Sequence, residues 1–306
     1  MEILKAGFNL LHDTVIALGK FDALHLGHQK IIDTMKKIFA EKHLKTVIFT
    51  FDNISDGFIV SKKEKEEFLE NYGIDCLYCQ NFDDNFKNTS AEDFFNEILV
   101  KKFNAKHIVS GDDWHFGKDK RGDVCMLEKM CNEKNIGFTV VERLKIDGET
   151  VSSSLIRSCI SDGNIKKANA LLGRTFSIEG TVTEGKRLGG KIGFPTVNFA
   201  AEKGRILPQN GVYASYVIYG EEKYLAMTNV GDNPTVDKNI EDLRNELLEL
   251  TVGLEKQAGN MKVLQEKMKI CFLDKIRDEI RFPSVDALVC QLKRDKTYIK
   301  NNFKNF

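Results

Sequence analysis

The chain has 306 residues, more than one hydrophobic core usually serves, so two domains are expected. Its 45 basic and 45 acidic side chains balance, which gives no reason to expect binding to nucleic acid or to a membrane surface. Residues Met1 to Phe8 lack the pattern of a signal peptide and no apolar stretch is long enough to span a bilayer, so we expect a cytoplasmic protein.

Strand-like and helix-like segments alternate through the first half of the chain. The predicted strands are 14–19, 45–51, 76–79 and 107–110, and the predicted helices are 28–43, 62–72 and 91–103. Such alternation predicts a Rossmann-like α/β domain, in which crossover helices cover both faces of a parallel sheet. Ligands of these sheets bind at the carboxyl ends of the strands.

Cys76 and Cys79 form a C-x-x-C pair within one of the predicted strands. A zinc or redox site would need a second pair of ligands at suitable spacing, and the sequence offers none. We therefore interpret the segment as a buried strand, with the chain's seven cysteines mostly reduced.

The sequence pattern changes near Leu171. Short alternating segments punctuated by glycine occupy 176–182, 211–220 and 224–231, and 284–303 has the pattern of a closing helix. Period-two alternation with glycine turns predicts an antiparallel β-barrel. We expect domains at 1–173 and 174–306.

A histidine pair follows the first predicted strand, in Gly19-Lys-Phe-Asp-Ala-Leu-His-Leu-Gly-His28. The stretch opens a helix, whose free N–H groups and positive dipole end suit phosphate. His25 and His28, three positions apart, can reach one phosphate group, and Gly27 lets the backbone approach it closely. The context predicts a phosphate-binding site.

This stretch resembles the H-x-G-H signature of nucleotidyltransferases and, in its longer form, the bacterial bifunctional riboflavin kinase/FAD synthetases. The segments 111–123 and 151–157 resemble two further motifs of that family, in matching order and spacing. The resemblance implies that His25 and His28 hold the ATP phosphates and that Ser153, Ser154 and Arg157 hold the leaving pyrophosphate. The other ATP-binding residues that it implies are Gly19, Phe21, Asp22, Gly27 and Asp112.

The implied reaction is transfer of AMP from ATP to FMN, with Mg²⁺ as cofactor. The FMN phosphate is already an anionic nucleophile, so the protein need only align the substrates and stabilise developing charge. Two positions depart from the family: Ala23 replaces a usual glycine, and Phe51-Asp-Asn-Ile-Ser-Asp replaces a segment that usually contains His-Pro. If position 23 needs a positive φ, Ala23 is strained.

The predicted site of the second domain begins with a segment rich in glycine and basic residues, 185–198. It resembles the riboflavin kinase signature that ends in G-F-P-T-A-N, with Val197 in place of alanine. The resemblance implies Mg²⁺ binding by Thr196 and Asn198. The implied ATP- and flavin-binding residues are Gly185, Lys186, Gly189, Gly193, Phe194, Pro195 and Arg277.

The kinase also needs a carboxylate to accept a proton from the riboflavin hydroxyl. The family places that base on a strand within 236–268, where this sequence instead repeats apolar residues at heptad spacing. In one interpretation the segment 236–268 still forms strands, and Glu249 is the base that accepts the proton. The favoured reading is an amphipathic helix that removes the base and can mediate self-association, so riboflavin phosphorylation is predicted to be weak or absent.

Two alternative functions remain open at this point. The histidine site could adenylylate a phosphate acceptor other than FMN. The chain could also be a flavin-binding interaction protein that oligomerises through 236–268. The expected partners are small-molecule nucleotides and flavins.

Overall fold

The structure, a computed structural model, describes residues 1–5, 7–52, 57–183, 194, 196–231, 247–251 and 267–303. The chain divides into two compact units, Met1–Ser153 and Ser154–Phe306. The boundary predicted at 173/174 rests on the change in sequence pattern and stays a prediction. In the part of the chain described here, no helix is both long and apolar enough to cross a bilayer.

The amino-terminal unit contains a six-stranded sheet in which every neighbouring pair is parallel, as predicted. Its strands are β1 (Glu2–Leu4), β2 (Thr14–Leu18), β3 (Lys45–Phe51), β4 (Cys76–Gln80), β5 (Ala105–Gly111) and β6 (Gly137–Val141). The spatial order β1-β4-β3-β2-β5-β6 reverses direction between β2 and β5. The carboxyl ends of those two strands therefore border the crevice where such sheets bind ligands.

Helices connect these strands. They are α1 (Leu26–Lys42), α2 (Lys62–Asn71), α3 (Asp84–Lys87), α4 (Ala91–Asp93), which continues as the π-helical segment Phe94–Lys102, and α5 (Val124–Glu133). A short hairpin, β7 (Lys145–Ile146) and β8 (Glu149–Thr150), follows β6. The central strand β2 is buried along its whole length, which explains its uninterrupted apolar sequence.

The carboxy-terminal unit is a closed antiparallel barrel with a final helix, also as predicted. Two helices, α6 (Ser153–Ser161) and α7 (Ile165–Leu172), precede it. The barrel strands are β9 (Ser177–Thr183), β10 (Thr196–Ala201), β11 (Gly211–Tyr219), β12 (Glu222–Val230), β13 (Leu247–Thr251) and β14 (Lys267–Arg277), in the order β10-β13-β12-β11-β14-β9. The final helix α8 (Val285–Asn302) packs Ile299 against Val212 and Met227 of the barrel.

The favoured helical reading of 236–268 is wrong where the structure describes that segment. Residues 247–251 form β13, which pairs with β10 on one side and β12 on the other, and Lys267 and Met268 begin β14. Backbone pairing on both edges outweighs a local heptad pattern, because a closed barrel needs this strand to satisfy its neighbours' hydrogen bonds. Residues 236–246 and 252–266 lie outside the described residues, and self-association through the segment stays a prediction.

The C-x-x-C pair lies on β4, which confirms its interpretation as part of a strand. Burial raises the pKa of both thiols, so Cys76 and Cys79 remain protonated at neutral pH. Within the described part of the chain, no cluster of three or more His, Cys, Asp or Glu side chains could hold a metal.

His107, on β5, is buried at 8% exposure between two polar partners. Its Nδ1 lies 3.2 Å from the Lys42 ammonium, and its Nε2 lies 2.8 Å from the Thr139 hydroxyl. An ammonium can only donate, so Nδ1 accepts and Nε2 bears the proton of a neutral ring. A Cβ on the facing Gly137 would come within 2.2 Å of the ring, so any larger residue at this position would force the imidazole to move.

Acidification is expected to destabilise the amino-terminal unit through this histidine. Burial, with a smaller effect of Lys42, lowers the pKa of His107 to about 4. In the unfolded chain the His107 imidazole binds a proton below about pH 6.5, whereas in the folded chain it stays neutral down to about pH 4. The free energy of unfolding should therefore be unaffected by this group above about pH 6.5 and should fall by up to about 3 kcal/mol between about pH 6.5 and pH 4. Urea unfolding followed by fluorescence of Trp114, the chain's one tryptophan, measures this.

The variant His107→Gln should lose this component of the pH dependence, since glutamine can still accept from Lys42 and does not titrate. The exposed His12 supplies the matched control, His12→Gln. Equal pH dependence in wild type and His107→Gln would contradict the assignment.

Candidate active sites

The amino terminus of α1 lies at the carboxyl edge of the sheet, directly after the turn that follows β2. His25 caps this helix: its Nδ1 accepts a hydrogen bond from the His28 backbone N–H at 3.1 Å. The two imidazoles stack, with ring centroids 3.7 Å apart and planes 11° from parallel. Because Nδ1 of His25 is an acceptor, Nε2 bears the proton of its neutral ring. No acidic side chain occupies the helix's first turn, so its positive end suits an anion.

The turn leading into α1 is strained, but not at Ala23. Phe21 and Leu24 have positive φ values of 45° and 48°, whereas Ala23 keeps a negative φ. All three side chains are fully buried, which holds the turn in this conformation. Position 23 therefore does not need a positive φ, and the condition under which Ala23 would be strained is not met, because Phe21 and Leu24 adopt the left-handed conformation instead.

Two motif glycines make room for aromatic rings. A Cβ on Gly19 would approach the Phe21 ring to 2.8 Å, and one on Gly27 would approach the His25 ring to 3.1 Å. Gly19 and Phe21 thus pack against each other. Gly27 leaves space for the capping imidazole over the helix terminus.

Asp112 follows β5 and pairs with an arginine that follows the adjacent β6. Its Oδ1 lies 2.9 Å from Nε of Arg143. Ser153 begins α6, on which Ser154 and Arg157 also lie. Asp22 lies half-buried within the turn that precedes His25.

An aromatic cluster borders the same edge of the sheet. Phe51 ends β3, Phe82 follows β4 and Trp114 follows β5. The ring of Phe51 packs edge-on against Phe82 at 5.4 Å and lies 20° from parallel to the Trp114 ring, with centroids 6.4 Å apart. Phe82 is 41% exposed, so the cluster presents aromatic surface to solvent.

In the barrel, β13 brings the candidate base into register with two asparagines. Glu249 is the backbone partner of Asn198 on β10 and of Asn229 on β12. In this register Glu249 forms one row of paired backbone positions with Asn229 and with Asn198, a predicted Mg²⁺ ligand.

Arg277, at the end of β14, forms a buried ion pair with the final helix. Its Nε and Nη2 both lie 2.9 Å from Oδ2 of Asp295, whose other oxygen accepts from Gln291 at 2.8 Å. The guanidinium also lies 5.8 Å from the Phe282 ring centre. Its predicted role in ligand binding stays a prediction; the observed contacts attach α8 to the barrel.

Known protein families match both parts of the chain. Residues 8–155 match the FAD synthetase family model and 172–303 match the riboflavin kinase family model. The bifunctional riboflavin kinase/FMN adenylyltransferase of Escherichia coli (strain K12) is 30% identical over 94% of this chain and 92% of its own length. The Bacillus subtilis (strain 168) protein of the same description is 32% identical over 95% of this chain and 93% of its own length. The chain belongs to this bifunctional family.

A solved structure agrees with the family's fold. A protein from Streptococcus pneumoniae, described as a macrolide-efflux protein, is 31% identical, with a TM-score of 0.85 over 96% of both chains. The sequence-based assignment to the riboflavin kinase/FMN adenylyltransferase family is thereby confirmed, together with its two-part architecture.

Several predicted residues of the family's kinase site cannot be placed. Phe194 is half-buried, and Thr196 and Asn198 lie on β10. Five other predicted residues of the segment lie outside the described residues: Gly185, Lys186, Gly189, Gly193 and Pro195. Three residues at the carboxyl edge of the parallel sheet were not predicted as site residues from the sequence: Arg143, Phe82 and Trp114. Only their positions just after predicted strands could have indicated them.

Proposed function

We propose that the amino-terminal unit transfers AMP from ATP to FMN, releasing pyrophosphate, and that the carboxy-terminal unit phosphorylates riboflavin to FMN. The observation that most strongly supports the first activity is the stacked imidazole pair on the amino terminus of α1. His25 and His28 hold the ATP phosphates next to the helix dipole, and the FMN phosphate attacks the α-phosphorus without a protein base. Ser153, Ser154 and Arg157, at the start of α6, stay the residues that the family resemblance assigns to the leaving pyrophosphate.

The aromatic cluster supports a flavin as the acceptor. An isoalloxazine is a large flat ring that stacks on accessible aromatic side chains, and the cluster offers the exposed Phe82 and the half-buried Trp114. Both follow strands of the parallel sheet at the carboxyl edge where the histidine pair also lies: Phe82 follows β4 and Trp114 follows β5. A small acceptor without a ring would gain nothing from this surface.

Removal of the Trp114 ring is expected to weaken FMN binding. Stacking on an aromatic side chain is worth about 1–3 kcal/mol, so Trp114→Ala should raise the KM for FMN by about 10-fold and leave that for ATP unchanged. Trp114→Phe, which keeps a ring, is the matched control. Steady-state pyrophosphate release gives both constants. An unchanged KM for FMN in Trp114→Ala would contradict this placement of the flavin.

The kinase activity is supported by β13, which gives Glu249 a defined position in the barrel. We assign Glu249 as the base that accepts the proton of the riboflavin hydroxyl. Thr196 and Asn198 supply hydroxyl and amide oxygens, which suit a hard cation; bound Mg²⁺ would offset the charge on the transferring phosphate. Because 247–251 form a strand, the helical reason for predicting weak phosphorylation does not apply to these residues, and the level of kinase activity stays a prediction.

Incubation with Mg²⁺-ATP and either riboflavin or FMN, followed by chromatography of the flavins, tests both activities. We expect FMN and FAD from riboflavin, and FAD from FMN. FAD from FMN without any product from riboflavin would contradict the kinase assignment alone. No FAD from FMN, but adenylylation of another phosphate compound by labelled ATP, would contradict the flavin acceptor.

A further inference from the structure

Lys65, on α2, is a buried lysine at the substrate edge of the parallel sheet. It is 9% exposed, although lysine is almost never fully buried without a partner. Lys62 lies one helical turn earlier on the same face and binds the Asp52 carboxylate at 3.1 Å. Because Asp52 directly follows β3, this ion pair fixes the first turn of α2 over the carboxyl end of that strand.

The Lys65 ammonium, unlike that of Lys62, makes no hydrogen bond or ion pair with any residue that the structure describes. The charges near the Lys65 ammonium do not offset the cost of removing it from water. Burial lowers the pKa of Lys65, and this effect outweighs the attraction of the Asp22 and Asp52 carboxylates. A buried charge that lacks a direct partner destabilises the fold, so packing alone does not explain a lysine here.

The residues within electrostatic reach locate this ammonium. Asp22 belongs to the turn between β2 and His25, Asp52 follows β3, and Cys79 lies near the end of β4. Asp112, assigned to ATP, follows β5 on the other side of β2. Lys65 therefore lies beside the histidine turn but on the side of the sheet away from Asp112.

We propose that Lys65 binds the phosphate monoester of the acceptor and directs it towards the α-phosphorus of ATP. The proposal rests on the adenylyl transfer proposed above and adds a positioning residue to it. An ammonium that is already desolvated binds a phosphate oxygen strongly, because the cost of removing its water is met in folding. Its charge also offsets part of the repulsion between two phosphate groups that must meet.

The variant Lys65→Met tests this, with Lys65→Arg and the exposed Lys63→Met as controls. A hydrogen bond to a charged group is worth about 1.5–3 kcal/mol, so the KM for FMN should rise by about 10- to 100-fold in Lys65→Met. The KM for ATP and the riboflavin kinase rate should stay unchanged. Lys65→Arg should recover part of the loss, and Lys63→Met should match the wild type.

Stability distinguishes binding from a structural role. Methionine fills a similar volume without a buried charge, so Lys65→Met should melt at the same temperature as the wild type or higher. A lower melting temperature with an equal fall in kcat and no change in either KM would overturn the proposal. So would a rise in the KM for ATP rather than for FMN.

Direct binding separates this proposal from the proposed function. Quenching of Trp114 fluorescence by FMN without ATP reports on the amino-terminal unit alone. Weaker quenching in Lys65→Met supports the phosphate contact even if the wild type makes no FAD, an outcome that would contradict adenylyl transfer. Equal quenching in both proteins would overturn the role of Lys65 while leaving FAD formation intact.

Discussion

Replacing Glu249 by glutamine is expected to lower kcat for riboflavin phosphorylation by about 10²- to 10⁴-fold, the contribution of a positioned general base. FAD formation from FMN by the same preparation should be unchanged, because the FMN phosphate is already ionised and needs no base. Chromatographic separation of the flavins formed from riboflavin and from FMN measures both rates on one protein sample.

The reason lies in the difference between the two nucleophiles. A ribityl hydroxyl must lose its proton as it attacks phosphorus, and a carboxylate within hydrogen-bond reach accepts it. Glu249 has Asn198 as its backbone partner on β10 and Asn229 on β12. Glutamine has nearly the same shape and fits the same strand, so the substitution removes the base without removing β13.

Glu279 provides the comparison that makes the experiment specific. Its carboxylate accepts a hydrogen bond from Nδ2 of Asn229 at 3.4 Å, so it is a second carboxylate near the same row. We expect Glu279→Gln to keep most of the kinase activity. If Glu279→Gln rather than Glu249→Gln abolishes phosphorylation, the base has been assigned to the wrong carboxylate.

The centre of the amino-terminal sheet could be predicted from the sequence because strands such as β2 and β3 are buried on both faces. Lys45–Phe51 has a mainly apolar, β-branched and aromatic sequence, and the structure gives β3 the same bounds. Helices with an apolar stripe between such runs leave one main solution, a parallel sheet with crossovers. The π-helical hydrogen bonding of Phe94–Lys102 was not predictable, since the side-chain pattern of a helix does not reveal it.

The segment around β13 shows the limit of periodicity. Leu247 and Leu250 fit a heptad, yet the same residues form a strand whose neighbours are distant in sequence. Its partners, β10 and β12, are a long-range requirement of barrel closure that no local window contains. The family resemblance pointed to a strand here, and for residues 247–251 that was the better guide.

The histidine site was predictable in composition but not in geometry. A strand, a glycine-rich turn and a helix together indicated phosphate binding by His25 and His28. The sequence could not show which turn residues adopt positive φ, since none of Phe21, Ala23 and Leu24 is glycine. It also could not pair Asp112 with Arg143, because that contact depends on β5 and β6 being neighbours.

His25 has two roles, and the choice of substitution separates them. It caps α1 through Nδ1, and its imidazole is proposed to hold ATP phosphates. Asparagine is among the best N-cap residues, so His25→Asn keeps the cap and removes the ring, whereas His25→Ala removes both. We expect both variants to lose about 10²- to 10³-fold in AMP transfer, the usual cost of removing a donor that stabilises transition-state charge.

The two variants should differ in their free energy of unfolding, although they lose similar amounts of AMP-transfer activity. Loss of the cap should lower the free energy of unfolding of His25→Ala by about 1 kcal/mol, while His25→Asn stays close to the wild type. Urea unfolding followed by Trp114 fluorescence gives this difference, and pyrophosphate release with FMN and ATP gives the rates. The riboflavin kinase rate, which depends on the other unit, should be the same in all three proteins. Wild-type AMP transfer in His25→Asn would mean that the imidazole contributes only a helix cap, and phosphate binding would then fall to His28 and the backbone N–H groups of α1.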